Sequence, residues 1–260
     1  MPTMTPITKS RHTAMRWRRP DSYAFTAGTA VIPLVGAELA QAAVACPIAF
    51  IEHGEAFVPA AVLGLEPNRN IFVAEDGRWL GAYVPAAVRG FPFMLAATES
   101  GQQLLCFDEA SGFLADARDG ERFFEADGTL APAVRQVLDF LTKVEENRTV
   151  TVAACAALQA RNLIEPWPIA VRAAGSERRI EGLFRVNEAA FNALDDAAFL
   201  AMRTTGALPL AFAQVMSMPQ LRLLVERAGA PRVQKMQWGQ DLDLSWIEGG
   251  TLTIGPGKLH

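Results

Sequence analysis

The sequence predicts an α+β fold, an antiparallel β-sheet packed by helices from the C-terminal half. Three observations predict it. Turn signals recur at close spacing through the first half, each between short apolar runs, as hairpins require and βαβ units do not. From residue 131 the apolar period becomes helical, with Val134, Val137, Leu138, Leu141 and Val144 on one stripe. Half of the 260 residues are hydrophobic and 20% are charged, a composition that buries a core and excludes global disorder.

Residues 1–22 read as a basic flexible tail, with Lys9, Arg11, Arg16, Arg18 and Arg19 close together. Such a run is either an electrostatic arm for an anionic partner or a solvated leader. Residues 23–228 read as a single domain. In it, AVIPLV (30–35) is a strand, and the Ala-rich stretch from Glu38 to Ala45 is a helix that Pro47 stops. PIAFIE (47–52) and AFVPAAVLGL (56–65) are strands joined at His53-Gly54. The run 70–85 is a hairpin turning at Glu75-Asp76-Gly77. Residues 91–98 and 103–109 form another hairpin across Glu99-Ser100-Gly101, and Asp127-Gly128 marks a further turn.

Pro132 suits the first turn of a helix, and a second helix is expected over Val150–Ala160. EPWPIAVRA (165–173) and RRIEGLFRV (178–186) pair across Gly175-Ser176 and join or abut the first sheet. Asn187 is the N-cap of a short helix, and Asp195-Asp196 begins another. An apolar helical stretch from Ala207 is interrupted at Pro209 and Pro219, and 229–260 read as an irregular C-terminal tail.

The formal net charge is -4, which argues against nucleic acid as a partner. The N-terminal charges have no apolar run of about 7–15 residues behind them, so no signal peptide is read. No stretch supplies the about 20 apolar residues of a spanning helix. The expected location is cytoplasmic, with Cys46, Cys106 and Cys155 as free thiols, while leaderless export stays open.

Few residue patterns of known chemistry occur in the chain. The three cysteines are too widely spaced for a disulfide framework or a four-Cys metal site. Glycine-rich phosphate loops and the G-x-S-x-G elbow are absent. No cofactor and no catalytic set is expected, and the pattern leans away from an enzyme. Of the three histidines, only His53 falls inside the expected fold, in a turn. The candidate ligand-binding residues are Trp79, Tyr83, Arg89, Asp108 and Glu109. Arg89 sits among Trp79, Tyr83, Phe91 and Phe93, where a guanidinium binds an anion, stacks on a ring, or pairs with Asp108 or Glu109. Asp108-Glu109 closes an apolar strand, as an acid or base would if burial raised its pKa, or as a simple turn former.

At these residues the chain resembles the SapC family. The resemblance runs over about residues 25–228. It is carried by the Glu38 helix leading into Cys46-Pro47-Ile48-Ala49-Phe50, by Leu63-Gly64-Leu65, and by Asn70-Ile71-Phe72-Val73 with Asp76-Gly77-Arg78-Trp79. Tyr83-Val84-Pro85, Arg89, Phe91-Pro92-Phe93, Cys106-Phe107-Asp108-Glu109 and Ile164-Glu165-Pro166-Trp167 continue it. The family pattern favours aromatics where this chain has Ala45-Cys46 and Gly90. The resemblance implies a bacterial protein associated with surface-layer gene clusters and brings no catalytic residue set. Three readings follow. The first is a soluble accessory protein binding a peptide, protein or surface-layer component. The second is a carboxylate-dependent enzyme modifying a peptide or aromatic metabolite. The third is a self-assembling surface-layer subunit, and homo-oligomers are compatible with all three.

Overall fold

A computed structural model of the chain describes residues 4–98, 101–115, 119–173 and 176–227. In chain order the elements are β1 (Met4–Pro6), α1 (Lys9–His12), β2 (Arg16–Trp17), β3 (Val31–Pro33), α2 (Leu39–Ala43), β4 (Ile48–His53), β5 (Ala56–Val62) and α3 (Ala86–Arg89). There follow β6 (Phe93–Ala97), β7 (Gln103–Asp108), β8 (Leu114–Ala115), β9 (Glu121–Arg122) and α4 (Pro132–Gln159). The C-terminal part holds β10 (Ile164–Pro166), β11 (Ile169–Ala173), β12 (Ser176–Ile180), β13 (Phe184–Val186), α5 (Glu188–Asn192), α6 (Asp196–Thr204), α7 (Ala207–Ser217) and α8 (Gln220–Arg227). The class is α+β, and among the described residues every strand pair is antiparallel.

The largest sheet runs β10-β13-β4-β5-β3. β4 lies at its centre, so Ile48, Ala49 and Phe50 are fully buried. That explains the unbroken apolar run where a half-exposed strand would alternate. Phe184 of β13 pairs with Phe50, which joins the C-terminal strands to the first hairpin as expected. α7 covers this junction. Its buried Gln214 accepts from the Val186 amide and donates to the Ile48 carbonyl, at 3.0 and 3.2 Å, and Ser217 Oγ accepts from the Ile48 amide at 2.8 Å. Buried strand ends thus find their partners in helix side chains.

A second core gathers Trp17, Phe93, Phe107, Phe123, Phe124 and Val134. Here the structure corrects the sequence reading: from Met4 onward the expected flexible tail is part of the fold. β1 adds to β7, and β2 lies between β8 and β9. Trp17 is 2% exposed and meets Phe93 edge-on at 4.7 Å. Three of the basic residues face acids of the same chain. Arg11 pairs with Glu109 at 2.6 Å, Arg19 with Glu121 at 2.7 Å, and Arg18 lies 4.0 Å from Asp119. The density of positive charge concealed Ile7, His12, Met15 and Trp17, which face inward between those charges.

Other boundaries also moved. The two helices expected over 131–162 are the single α4, because no Gly or Pro interrupts it after Pro132. Its first turn joins the second core through Val134, and its last turns join the first core through Ala154, Cys155 and Leu158. The hairpin expected over 70–85 reduces to a turn and one bridge, Val73 to Trp79. Pro209 does not break α7, because it sits in the first turn, where its missing amide has no helical acceptor. The break at Pro219 is real, with α7 and α8 bent by 43°. The tail expected over 229–260, and Glu99, Ser100 and Gly175, lie outside the described residues. Among the described residues no single helix is long and apolar enough to cross a membrane.

Because Trp17 is an anchor of the second core, Trp17→Ala should cost about 3–5 kcal/mol, and removal of residues 1–22 should abolish cooperative unfolding of that core. Urea denaturation checks both. An unchanged midpoint after either alteration would contradict this packing.

Candidate functional site

The candidate site is built around a carboxylate. Glu38 begins as a local feature: it closes a single 3₁₀ turn before α2, and its Oε2 accepts from the Val35 amide at 2.9 Å. This is half of a capping box, with the acid reaching back to the start of its own helix. The next two amides are satisfied from α4, Gly36 by Thr151 Oγ1 at 2.7 Å and Ala37 by Asn147 Oδ1 at 2.8 Å. Glu38 is therefore drawn inward and is 5% exposed.

Its other oxygen organises the segment ahead of α3. Oε1 accepts from the Ala86 amide at 2.6 Å and from the Tyr83 hydroxyl at 2.7 Å. Trp79 Nε1 donates to the Tyr83 carbonyl at 2.8 Å, which locks the same segment from its other side. Arg89, the last residue of α3, turns back over this frame. Its Nη2 donates to the Tyr83 hydroxyl oxygen and its Nε to the Val84 carbonyl, each at 3.1 Å. The guanidinium lies 5.6 Å from the Tyr83 ring centroid and 5.0 Å from that of Phe140 on α4. Gly90 allows the approach, since a Cβ there would stand 2.8 Å from Leu141 Cδ2.

The five residues selected from sequence divide into two groups. Trp79, Tyr83 and Arg89 come together as above. Glu109 belongs to a different neighbourhood, where Arg11 grips both its oxygens at 2.6 Å and the buried His12 ring lies 3.4 Å away. Asp108 is buried, and its Oδ1 accepts from the Ala110 amide at 3.1 Å. Among the described residues Arg89 makes no ion pair, so the expected pairing with Asp108 or Glu109 is absent. Of the aromatics named with Arg89, Phe93 belongs to the second core, Phe91 stacks on Phe25 at 4.1 Å, and Trp79 packs on Tyr23 and Phe72.

A family model described as SapC matches residues 7–224. The chain belongs to the SapC family. The match takes in most of the N-terminal segment that the sequence reading had set aside. Searches of curated proteins and of solved structures return no match.

Two features of this SapC protein were missed in the sequence. His12, set aside in a supposed tail, is wholly buried against Phe123. A cavity of about 480 Å³ opens where β10 and β13 meet the β11–β12 hairpin, lined by Pro166, Trp167, Pro168, Ile180 and Phe184 among others. Several ionisable groups are shifted by identifiable causes. Burial, then hydrogen bonding to Glu38, pushes the Tyr83 hydroxyl up to about 12, against the opposing pull of Arg89. Burial, assisted by the Glu38 charge, pushes the Cys46 thiol up to about 12, and burial alone does the same to Cys155. The hydrogen bond from Arg11 holds Glu109 below the usual carboxylate range.

Since folding favours the neutral form of Tyr83, its contribution to stability is complete below pH 10.0 and is lost as pH rises through about 12. Phenolate absorbance measured on wild type and Tyr83→Phe should give a difference titration with its midpoint near 12. A midpoint near 10.0, the ordinary value, would contradict the Glu38–Tyr83 geometry.

Proposed function

We propose that this SapC protein is a soluble accessory protein that holds a partner, a peptide or a surface-layer component, at the face formed by Trp79, Tyr83 and Arg89. One observation carries the reading. Arg89 is an exposed cation braced from behind by Tyr83 and Val84 and laid across two rings, yet it has no carboxylate partner among the described residues. A fixed guanidinium with free donors is a recognition device, because little side-chain entropy remains to be lost on binding.

The groups that would do chemistry are differently disposed. An acid catalyst needs a raised pKa, whereas Arg11 holds that of Glu109 down. A thiol nucleophile needs a lowered pKa, whereas those of Cys46 and Cys155 stand at about 12. The enzyme reading requires Asp108, Glu109 and Arg89 to converge, whereas Glu109 is held by Arg11 and Arg89 by Tyr83 and Val84. All three thiols are free, which suits a reducing compartment such as the cytoplasm.

Pull-downs from native lysate, with mass spectrometry of the bound species, should yield a peptide or protein that is lost with the Arg89→Gln/Trp79→Phe double variant. Thermal melts establish that the variant is folded. Unchanged capture by a folded double variant would remove this site. Growth of wild type into sheets or filaments in light scattering would favour the lattice-subunit reading instead.

A further inference from the structure

Arg89 does not face open solvent alone. It shares a cavity of about 210 Å³ with Arg19, Ala133, Gln136, Val137 and Phe140. The last four recur at helical spacing on α4 and form its floor, with Phe140 providing an aromatic surface. The two arginines are distant in sequence, Arg19 from just after β2 and Arg89 from the end of α3. They are held in a similar manner. Arg19 donates only its Nε, to Glu121 at 2.7 Å, and Arg89 donates its Nε to Val84 and its Nη2 to Tyr83. Both Nη groups of Arg19 and the Nη1 of Arg89 are left uncommitted among the described residues, with hydrogen-bond donors to spare.

The geometry points to this cavity as the binding site for a carboxylate attached to an aromatic or other planar apolar body, the carboxylate between the two guanidiniums and the ring over Phe140. The inference deepens the proposed function and rests on it, because Arg89 is common to both. The ligand class follows from the shape and charge of the cavity. Guanidinium forks match the paired oxygens of a carboxylate. Glu121 already offsets the charge of Arg19, which leaves the single charge of Arg89 to be met, so a monoanion matches the cavity better than a phosphate dianion. The volume is below the roughly 300–1,000 Å³ of drug-sized pockets, so it accepts one terminal group and not a folded partner. Val137 and Phe140 are partly buried, which leaves apolar surface for a ring to cover.

Two sources share this chemistry, a free aryl acid and the C-terminal carboxylate of a peptide ending in an aromatic residue. Calorimetric titration of the full chain with N-acetylphenylalanine, its uncharged amide, acetate, and a short peptide ending in phenylalanine distinguishes them. Saturable binding of N-acetylphenylalanine is expected, with the amide weaker by at least about tenfold. Arg19→Gln and Arg89→Gln should each weaken the acid by about tenfold. Phe140→Ala should weaken N-acetylphenylalanine while leaving any acetate binding unchanged. Tighter binding of the peptide acid than of N-acetylphenylalanine assigns the source to a peptide terminus, and equal binding assigns it to a small aryl acid. The proposal is overturned if no carboxylate probe binds saturably, if the amide binds as well as the acid, or if folded Arg19→Gln binds like wild type. Should partner capture still depend on Arg89 while no carboxylate probe binds, the ligand class fails and the binding role survives. Loss of both removes the two together.

Discussion

The structure around the candidate site depends on one buried carboxylate and on what it must be given to stay there. A charge removed from water is costly unless its oxygens are fully hydrogen-bonded. Glu38 meets that condition with donors from two distant places, the Val35 amide beside it and the Ala86 amide and Tyr83 hydroxyl ahead of α3. A loop that would otherwise be free to wander is thereby tied to the entrance of α2. Asn147 and Thr151 of α4 take up the neighbouring amides, so three parts of the chain meet at a single helix start. Breaking one partner would leave an uncompensated buried charge, which is why the arrangement is specific.

The exposed chemistry follows from this buried one. Tyr83 passes the constraint outward by accepting from Arg89 while donating to Glu38. Gly90 lets α3 lie close to Leu141, which brings Phe140 beneath the guanidinium. The second core supplies the remaining wall, because Trp17 anchors β2 and so fixes where Arg19 emerges. An apolar anchor and a buried carboxylate thus position two cations that are distant in sequence.

Much of the fold was legible because its signals are local. His53-Gly54 turns the β4–β5 hairpin, with Gly54 at φ 63°, and Asn187 and Asp195 cap α5 and α6 through their own side chains. The proximity of Trp79, Tyr83 and Arg89 was legible for the same reason. What was missed is non-local. Glu38, ahead of an Ala-rich stretch, has the pattern of an exposed helix residue, and only Ala86 and Tyr83 make it a buried node. The N-terminal charges obscured Trp17 and His12, whose burial depends on aromatic partners far along the chain. Arg89 was expected to face Asp108 or Glu109, but Arg11, from that same misread segment, had already claimed Glu109.

Residue-resolved amide hydrogen exchange on wild type and Glu38→Gln tests the central claim most directly. If the carboxylate ties the loop to the helix start, the Val35 and Ala86 amides exchange slowly in wild type, as core amides do. In the variant both lose protection by about tenfold or more, while β4 stays protected. Rapid exchange of the Ala86 amide in wild type, or unaltered protection in a folded Glu38→Gln protein, would contradict the account.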